Sequence, residues 1–130
     1  MEKTWVVFII KNEDWKYLLS RRTGKSRDEN WCWSFWWWEV ESWETPEEWL
    51  IREVREEYWV EISTYTHLWN RNLEKNWISW SFYEYICFVN WEPKIMEPAK
   101  MQDISWFDIN SLPEPIHSEI PWIIKKYNLL

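Results

Sequence analysis

The side chains with the clearest chemical potential are three glutamates, Glu53, Glu56 and Glu57, within the run Arg52-Glu53-Val54-Arg55-Glu56-Glu57. On a helix, residues three and four apart share a face, so these carboxylates would project together. Like charges crowded in this way destabilise a helix unless something neutralises them. Hard cations such as Mg²⁺ take carboxylate oxygens and keep waters that bridge to substrate phosphates, so metal-assisted phosphate chemistry is one use for the cluster. A solvated acidic face is the ordinary explanation of a charge run, and on three glutamates alone it is the stronger one. Context shifts that balance: Glu44 lies eight residues before Arg52, inside the segment Glu39 to Glu48 that links a strand-like run to the helix.

The helix that must present these groups has a well-marked start. Thr45 is suited to the N-cap, Pro46 to the first helical position, and Glu48, three residues after the cap, completes a capping box. Leu50 and Val54, four apart, supply its core stripe. Upstream, Trp5 to Ile10 and Tyr17 to Leu19 read as a hairpin across Lys11 to Trp15. Arg21 to Asn30 is polar and reads as a loop, and Trp33 to Val40 returns to strand composition. Downstream, strands are expected over Ile62 to Asn70 and Ile78 to Val89, and a loop with Pro93 and Pro98 over Asn90 to Gln102. A short strand, Ile104 to Ile109, follows. A proline-bounded connection, Pro113 to Ile116, then leads to an amphipathic helix, Ser118 to Tyr127, with Lys125 and Lys126 near its C-terminal dipole. Strands around one acidic helix, with a second helix at the end, make a mixed α/β domain.

At 130 residues the chain fits a single domain, 1–130. No run approaches the roughly 20 apolar residues of a membrane span, and the N-terminus lacks a signal-peptide layout, so a soluble, cytoplasmic protein is expected. A formal charge of -7 with no compensating basic block opposes binding to a nucleic acid polymer. Small anions remain accessible if a metal bridges the repulsion. Cys32 and Cys87 are 55 positions apart without CxxC or Cys/His spacing and read as free thiols. His67 and His117 have no ligand-spaced partner and read as structural or surface residues. Among Phe82, Tyr83 and Tyr85, strand alternation makes some core and leaves others able to stack a base. Monomer and homodimer both remain open.

The segment Trp38 to Val60 resembles the box of the Nudix family, which reads Gly, five residues, Glu, seven residues, then Arg-Glu-apolar-any-Glu-Glu-any-Gly-apolar. Glu44, Arg52, Glu53, Val54, Glu56, Glu57 and Val60 satisfy it in register, while Trp38 and Trp59 occupy its two glycine positions. Trp33-Ser34-Phe35 is similar to the strand before the family's Pro-Gly-Gly turn. Glu97-Pro98-Ala99-Lys100 through Trp106-Phe107 is similar to the end of MutT-like nucleotide pyrophosphohydrolases.

The resemblance implies the Nudix fold, a mixed sheet packed between helices in an α/β/α sandwich. It further implies a hydrolase that cleaves the diphosphate linkage of a nucleoside triphosphate or another nucleoside diphosphate derivative. Glu53, Glu56 and Glu57 would hold Mg²⁺, with Mn²⁺ as a substitute. Arg52 would orient them, Glu44 would pair with Arg52 to fix the loop, and one of the three glutamates would position the attacking water. Glu97 is a secondary metal or base candidate. Arg22 and Lys25, with Arg21, could reach substrate phosphates, and Phe35 could contact substrate, although exposed loop cations usually do nothing specific. Many ADP-ribose-cleaving relatives carry a proline past the box, and here none lies between Pro46 and Pro93.

The chain departs from the family where tryptophan replaces glycine. It holds 16 Trp and one Gly, Gly24, against an average glycine usage of about 7%. Trp37 and Trp38 stand at the Gly-Gly pair, and Trp59 stands just past the helix, where a left-handed glycine is the common cap. An indole in that conformation costs roughly 1–2 kcal/mol, and indoles in the box would obstruct close approach of a metal and phosphates. Trp77 and Trp91 each follow asparagine where an Asn-Gly turn would stand, Trp15 and Trp43 fall in turn contexts, and Trp69 is a further candidate. One explanation is a gene whose UGA codons mean glycine, read with a code in which UGA means tryptophan. Deliberate design and a protein tolerant of the tryptophans are the alternatives. Trp33 and Trp106 fit the family pattern, while Trp5, Trp31, Trp36, Trp49 and Trp122 are unassigned.

Two further functions compete with the hydrolase. A catalytically inactive Nudix-fold module that binds a nucleotide or a protein is opposed by the intact glutamates and supported by the tryptophan-filled loop. An interaction surface of exposed tryptophans is the third, because large apolar patches mark partners.

Overall fold

The structure, a computed structural model, describes residues 2–24, 29–40, 43–89, 92–96, 98 and 101–127. Its elements in chain order are β1 (Glu2–Lys11), β2 (Tyr17–Arg22), β3 (Trp33–Ser34), β4 (Trp36–Glu39), α1 (Pro46–Tyr58), β5 (Ile62–Lys75), β6 (Ile78–Val89), β7 (Met101–Phe107) and α2 (Glu119–Tyr127). The strands form one mixed sheet with the path β3-β2-β1-β6-β5, to which β4 adds beside β1 and β7 beside β2.

Central strand β1 explains this branching. One edge runs parallel to β6 from Glu2↔Ser79 to Lys11↔Phe88. The other edge is shared: β4 pairs antiparallel with it from Trp5↔Glu39 to Phe8↔Trp36, which leaves β2 a single pair, Lys11↔Tyr17. The expected hairpin therefore closes only at its turn. Beyond that point β2 peels away to pair with β7 from Tyr17↔Phe107 to Arg22↔Met101. β2 also runs two residues into the segment expected to be loop. The Trp33 to Val40 run breaks at Phe35 into two short strands with different partners.

Alternation along β1 divides the core into two layers. Val6, Phe8 and Ile10 face α1, where Trp49, Leu50, Val54 and Tyr58 pack with Leu18, Tyr85, Cys87 and Met101. Ile9 faces the opposite side, where Ile120, Ile123 and Ile124 of α2 pack with Tyr17, Leu19, Trp33 and Phe35. Leu50 and Val54, the expected stripe, are both 0% exposed. Burying each contributes about 1.5–3 kcal/mol, so the sheet clamps the acidic helix firmly. The result is the expected α/β/α sandwich.

β5 and β6 join through the two-residue loop Asn76-Trp77, flanked by the pair Lys75↔Ile78. β5 is longer than its expected span because this ribbon continues past Asn70. Both cysteines are free, Cys32 half-buried and Cys87 buried. Burial pushes the Cys87 thiol up to about 12, so it stays protonated at ordinary pH. Iodoacetamide at pH 8 should therefore label Cys32 in the native protein and reach Cys87 only after denaturation, as read by peptide mass spectrometry.

Candidate active site

Helix α1 carries the acidic residues and is fixed at both ends. Thr45 caps it with extended backbone, φ -77 and ψ 159, and its hydroxyl accepts from Glu48 N–H at 3.2 Å. Such a cap contributes about 1 kcal/mol. At the first turn, the Tyr85 hydroxyl donates to Glu47 Oε1 at 2.7 Å. At the last turn, the Tyr58 hydroxyl and Ser20 Oγ are 2.6 Å apart. The carbonyls that a helix end leaves open are also used: Trp59 N–H donates to Arg55 O, Lys94 N–H to Tyr58 O and Met96 N–H to Glu57 O.

Arg52 organises the charges on this helix. Its Nε and Nη2 donate to Glu44 Oε2 and Oε1 at 2.7 and 2.8 Å, a bidentate fork. Its Nη1 meets Glu56 Oε2 at 2.9 Å and lies 3.0 Å from Glu53 Oε1. The hydrogen bond from Arg52 holds the Glu44 carboxyl below its ordinary value, against a smaller opposing effect of burial. The bond to Glu44 in turn raises Arg52, which stays charged. The three glutamates do not share one environment. Glu57 is buried at 1% exposure, whereas the side chains of Glu53 and Glu56 are 15% and 53% exposed. The cluster therefore runs from core to solvent along the last two turns.

Other expected site residues separate from it. Arg22 ends β2 at 9% exposure, its N–H bonded to Cys32 O at 2.9 Å, so it is a seated residue and not an exposed loop cation. Phe35 is 1% exposed and edge-packed on Tyr17 at 6.3 Å. It belongs to the core layer that packs against α2. Lys25 and Glu97 lie outside the described residues, as does Trp91. Tyr85 belongs to the core, while Phe82 and Tyr83 are half-buried, and His67 stacks on Tyr83 and Tyr85. His117 is buried, with Nε2 2.7 Å from Glu29 Oε2, and Glu29 also accepts from the Ser118 backbone and hydroxyl. This clamp ties the β2–β3 loop to the start of α2. Sequence reasoning missed it, together with the Tyr58–Ser20 and Tyr85–Glu47 bonds, because partners 38 to 89 positions apart carry no local signal.

The NUDIX domain family model matches residues 2–127. The chain belongs to the NUDIX family. Its fold is shared with the MutT NUDIX hydrolase of Burkholderia pseudomallei, at a TM-score of 0.79 and 23% identity, with 96% of this chain and 97% of that one covered. The MutT protein of Methanosarcina mazei Go1 gives 0.78 and 20% over 98% and 93%, and a NUDIX hydrolase of Nitrosomonas europaea gives 0.74 and 17% over 98% and 89%. No curated protein sequence matches.

Hydrolases of the Nudix family generally use a divalent metal. The donor chemistry here fits a hard cation: Glu44, Glu53 and Glu56 supply three carboxylates around the one guanidinium of Arg52, and Glu57, on the same helix, is nine-tenths and more buried. Among the described residues no three acidic, histidine or cysteine side chains converge closely enough to hold an ion, since Arg52 draws Glu53 and Glu56 onto itself. The Nudix-box glycine positions differ from each other in backbone. Trp59 is left-handed, φ 57 and ψ 41, as a helix-ending glycine would be. Trp37 and Trp38 lie in β4, paired with Val7 and Val6, in extended backbone.

The lowered pKa of Glu44 sets the pH dependence of the loop. A carboxylate depressed on folding stabilises fully above its unfolded value, and that stability is lost as pH falls through the folded value. Glu44→Gln should cost on the order of 1 kcal/mol at pH 7, modest because Arg52 is partly solvated. The deficit relative to wild type, measured by urea denaturation, should shrink as pH drops below the ordinary carboxylate range.

Proposed function

We propose that the chain is a magnesium-dependent hydrolase that cuts the diphosphate linkage of a nucleoside triphosphate or another nucleoside diphosphate derivative. The observation that carries this reading is the acidic excess on the last two turns of α1, held in place by the Arg52–Glu44 fork. Glu53, Glu56 and Glu57 would hold Mg²⁺ or Mn²⁺, which when bound neutralises phosphate oxygens and the leaving phosphate. Arg52 keeps the glutamates oriented, and Glu44 keeps Arg52 in place. One of the three glutamates would also position the attacking water and accept its proton. Arg22, seated at the end of β2, supplies positive charge for a substrate phosphate. Two free cysteines are consistent with a cytosolic setting.

A second reading, a Nudix-fold binding module without catalysis, is favoured by Trp43, 77% exposed just before Glu44, and by Trp37 and Trp38 in the strand leading to it. The backbone speaks to the origin of these residues. Among the described residues, the non-glycine positions with positive φ are Trp15, Glu29, Trp31, Trp59, Asn76 and Trp77, and four of the six are tryptophan. Asn76 and Trp77, at φ 53 and 65, form the two-residue hairpin loop for which Asn-Gly is the strongest signal. Trp77 is 99% exposed. We infer that the native chain carries glycine at such positions through UGA recoding, and with it glycine at 37, 38, 43 and 59 of the active-site segment.

Incubated with a panel of nucleoside triphosphates and diphosphate derivatives, the protein should release phosphate or pyrophosphate in a magnesium-dependent way. Glu56→Gln should lower kcat by about 100-fold or more. Activity unaffected by that change would remove the proposed site, and no activity from the chain carrying glycine at 37, 38, 43 and 59 would favour the binding module. Separately, Trp59→Gly and Trp77→Gly should each raise stability by about 1 kcal/mol in urea denaturation. Peptide mass spectra of the protein from its own host should show glycine at both positions, and tryptophan there would end the recoding proposal.

A further inference from the structure

The last, acidic turns of α1 are tied to the sheet by one buried polar contact whose purpose packing does not explain. Tyr58 is 2% exposed and Ser20 is 1% exposed, and their hydroxyls are 2.6 Å apart. The Tyr58 ring already packs edge-on against Phe8 at 6.3 Å, as a phenylalanine would. A hydroxyl in that position must be satisfied, and a serine in a core strand is needed to do it. The pair therefore adds direction where apolar residues would give burial alone.

That direction bears on the acidic cluster. Tyr58 directly follows Glu57, the buried carboxylate, and ends the helix that carries Glu53 and Glu56 within its last two turns. Ser20 lies two residues before Arg22 on β2. The contact thus joins the end of α1 that supplies carboxylates to the end of the strand that supplies a seated cation. Tyr85 and Glu47 make the corresponding bond at the first turn of the helix, 2.7 Å long. Between them the two tyrosine hydroxyls fix where α1 sits along its own axis and how it is rotated, degrees of freedom that an apolar stripe leaves soft.

We propose that Tyr58 is a positioning residue, which through its hydroxyl bond to Ser20 sets the last turn of α1, and so Glu53, Glu56 and Glu57, for cation binding. The proposal rests on the metal-binding reading of those glutamates. Nothing in it requires Tyr58 to touch metal or substrate.

The test compares Tyr58→Phe, Ser20→Ala and the double variant with wild type, reading Mn²⁺ binding by electron paramagnetic resonance and Tm by calorimetry. Tyr58→Phe should weaken Mn²⁺ binding about tenfold, the lower end of what outer partners of metal ligands contribute. It should also lower Tm, because Ser20 loses its partner. In the double variant both hydroxyls are gone and Tm should recover, since removing both members of a buried pair is nearly neutral. Mn²⁺ binding should stay weak. Binding that is unchanged in Tyr58→Phe, or that recovers in step with Tm in the double variant, would show the pair to be structural only and overturn the proposal. Wild-type protein that binds no Mn²⁺ would instead overturn the metal reading beneath it, and the proposal with it.

Discussion

The rest of the structure depends on how carboxylates are kept together on one short helix. Glu53, Glu56 and Glu57 repel one another, and Glu57 is also withdrawn from water. A single guanidinium offsets much of this, because the planar fork of Arg52 binds Glu44 with two donors and still reaches Glu53 and Glu56 with a third nitrogen. Lysine, a point charge, would not span three carboxylates in this way. Since Glu44 belongs to the segment before the helix, the same fork also locks the entry into α1. The electrostatic problem and the entry into the helix thus share one solution, and an acidic excess remains on the helix.

The residues that form α1 were legible in the sequence because its signals are local. The Thr45 cap, Pro46, the Leu50 and Val54 stripe and the spacing of Glu44 and Arg52 all act within a few turns, and the structure forms the cap, the buried stripe and the Arg52–Glu44 pair. The sheet was legible in its strands but not in its pairing. Nothing near Tyr17 indicates that β4 will occupy the edge of β1, yet that competition turns an expected hairpin into a branch point. Phe35 shows the limit for single residues: an aromatic side chain beside a predicted site is equally good core material, and which it becomes depends on α2, more than eighty positions later. The Tyr58–Ser20 bond was invisible for the same reason, although the place of Tyr58 four residues after Val54 marks it as core-facing.

Tryptophan exposes a second constraint, the handedness of the backbone. A bulky side chain is tolerated wherever φ is negative and either space or solvent is available. Trp49 and Trp33 meet that condition in the core, at 1% and 8% exposure, and the backbone of Trp37 and Trp38 is extended in its pairing with β1. It fails at Trp15, Trp31, Trp59 and Trp77, where helix-ending and turn geometry demand positive φ. Trp31 has some compensation, since its ring fills the space beside Gly24 where a Cβ would come within 2.5 Å of it. Trp15 gains Lys11 Nζ at 3.8 Å from its ring centre. Trp77, at 99% exposure, has no comparable burial.

Stability and function should therefore be sensitive to different tryptophans. At left-handed positions the cost is conformational, falls on the folded state and is roughly 1–2 kcal/mol each, a serious fraction of the 5–15 kcal/mol that typically separates folded from unfolded domains. At 37 and 38 the backbone is regular strand, so left-handed strain does not arise. What glycine would supply at those positions is the absence of a side chain, the close approach that the proposed phosphate and metal binding asks of the main chain. The glutamates of α1 and the tryptophans before it answer to separate physical demands, charge placement on a helix in one case and backbone conformation in the other.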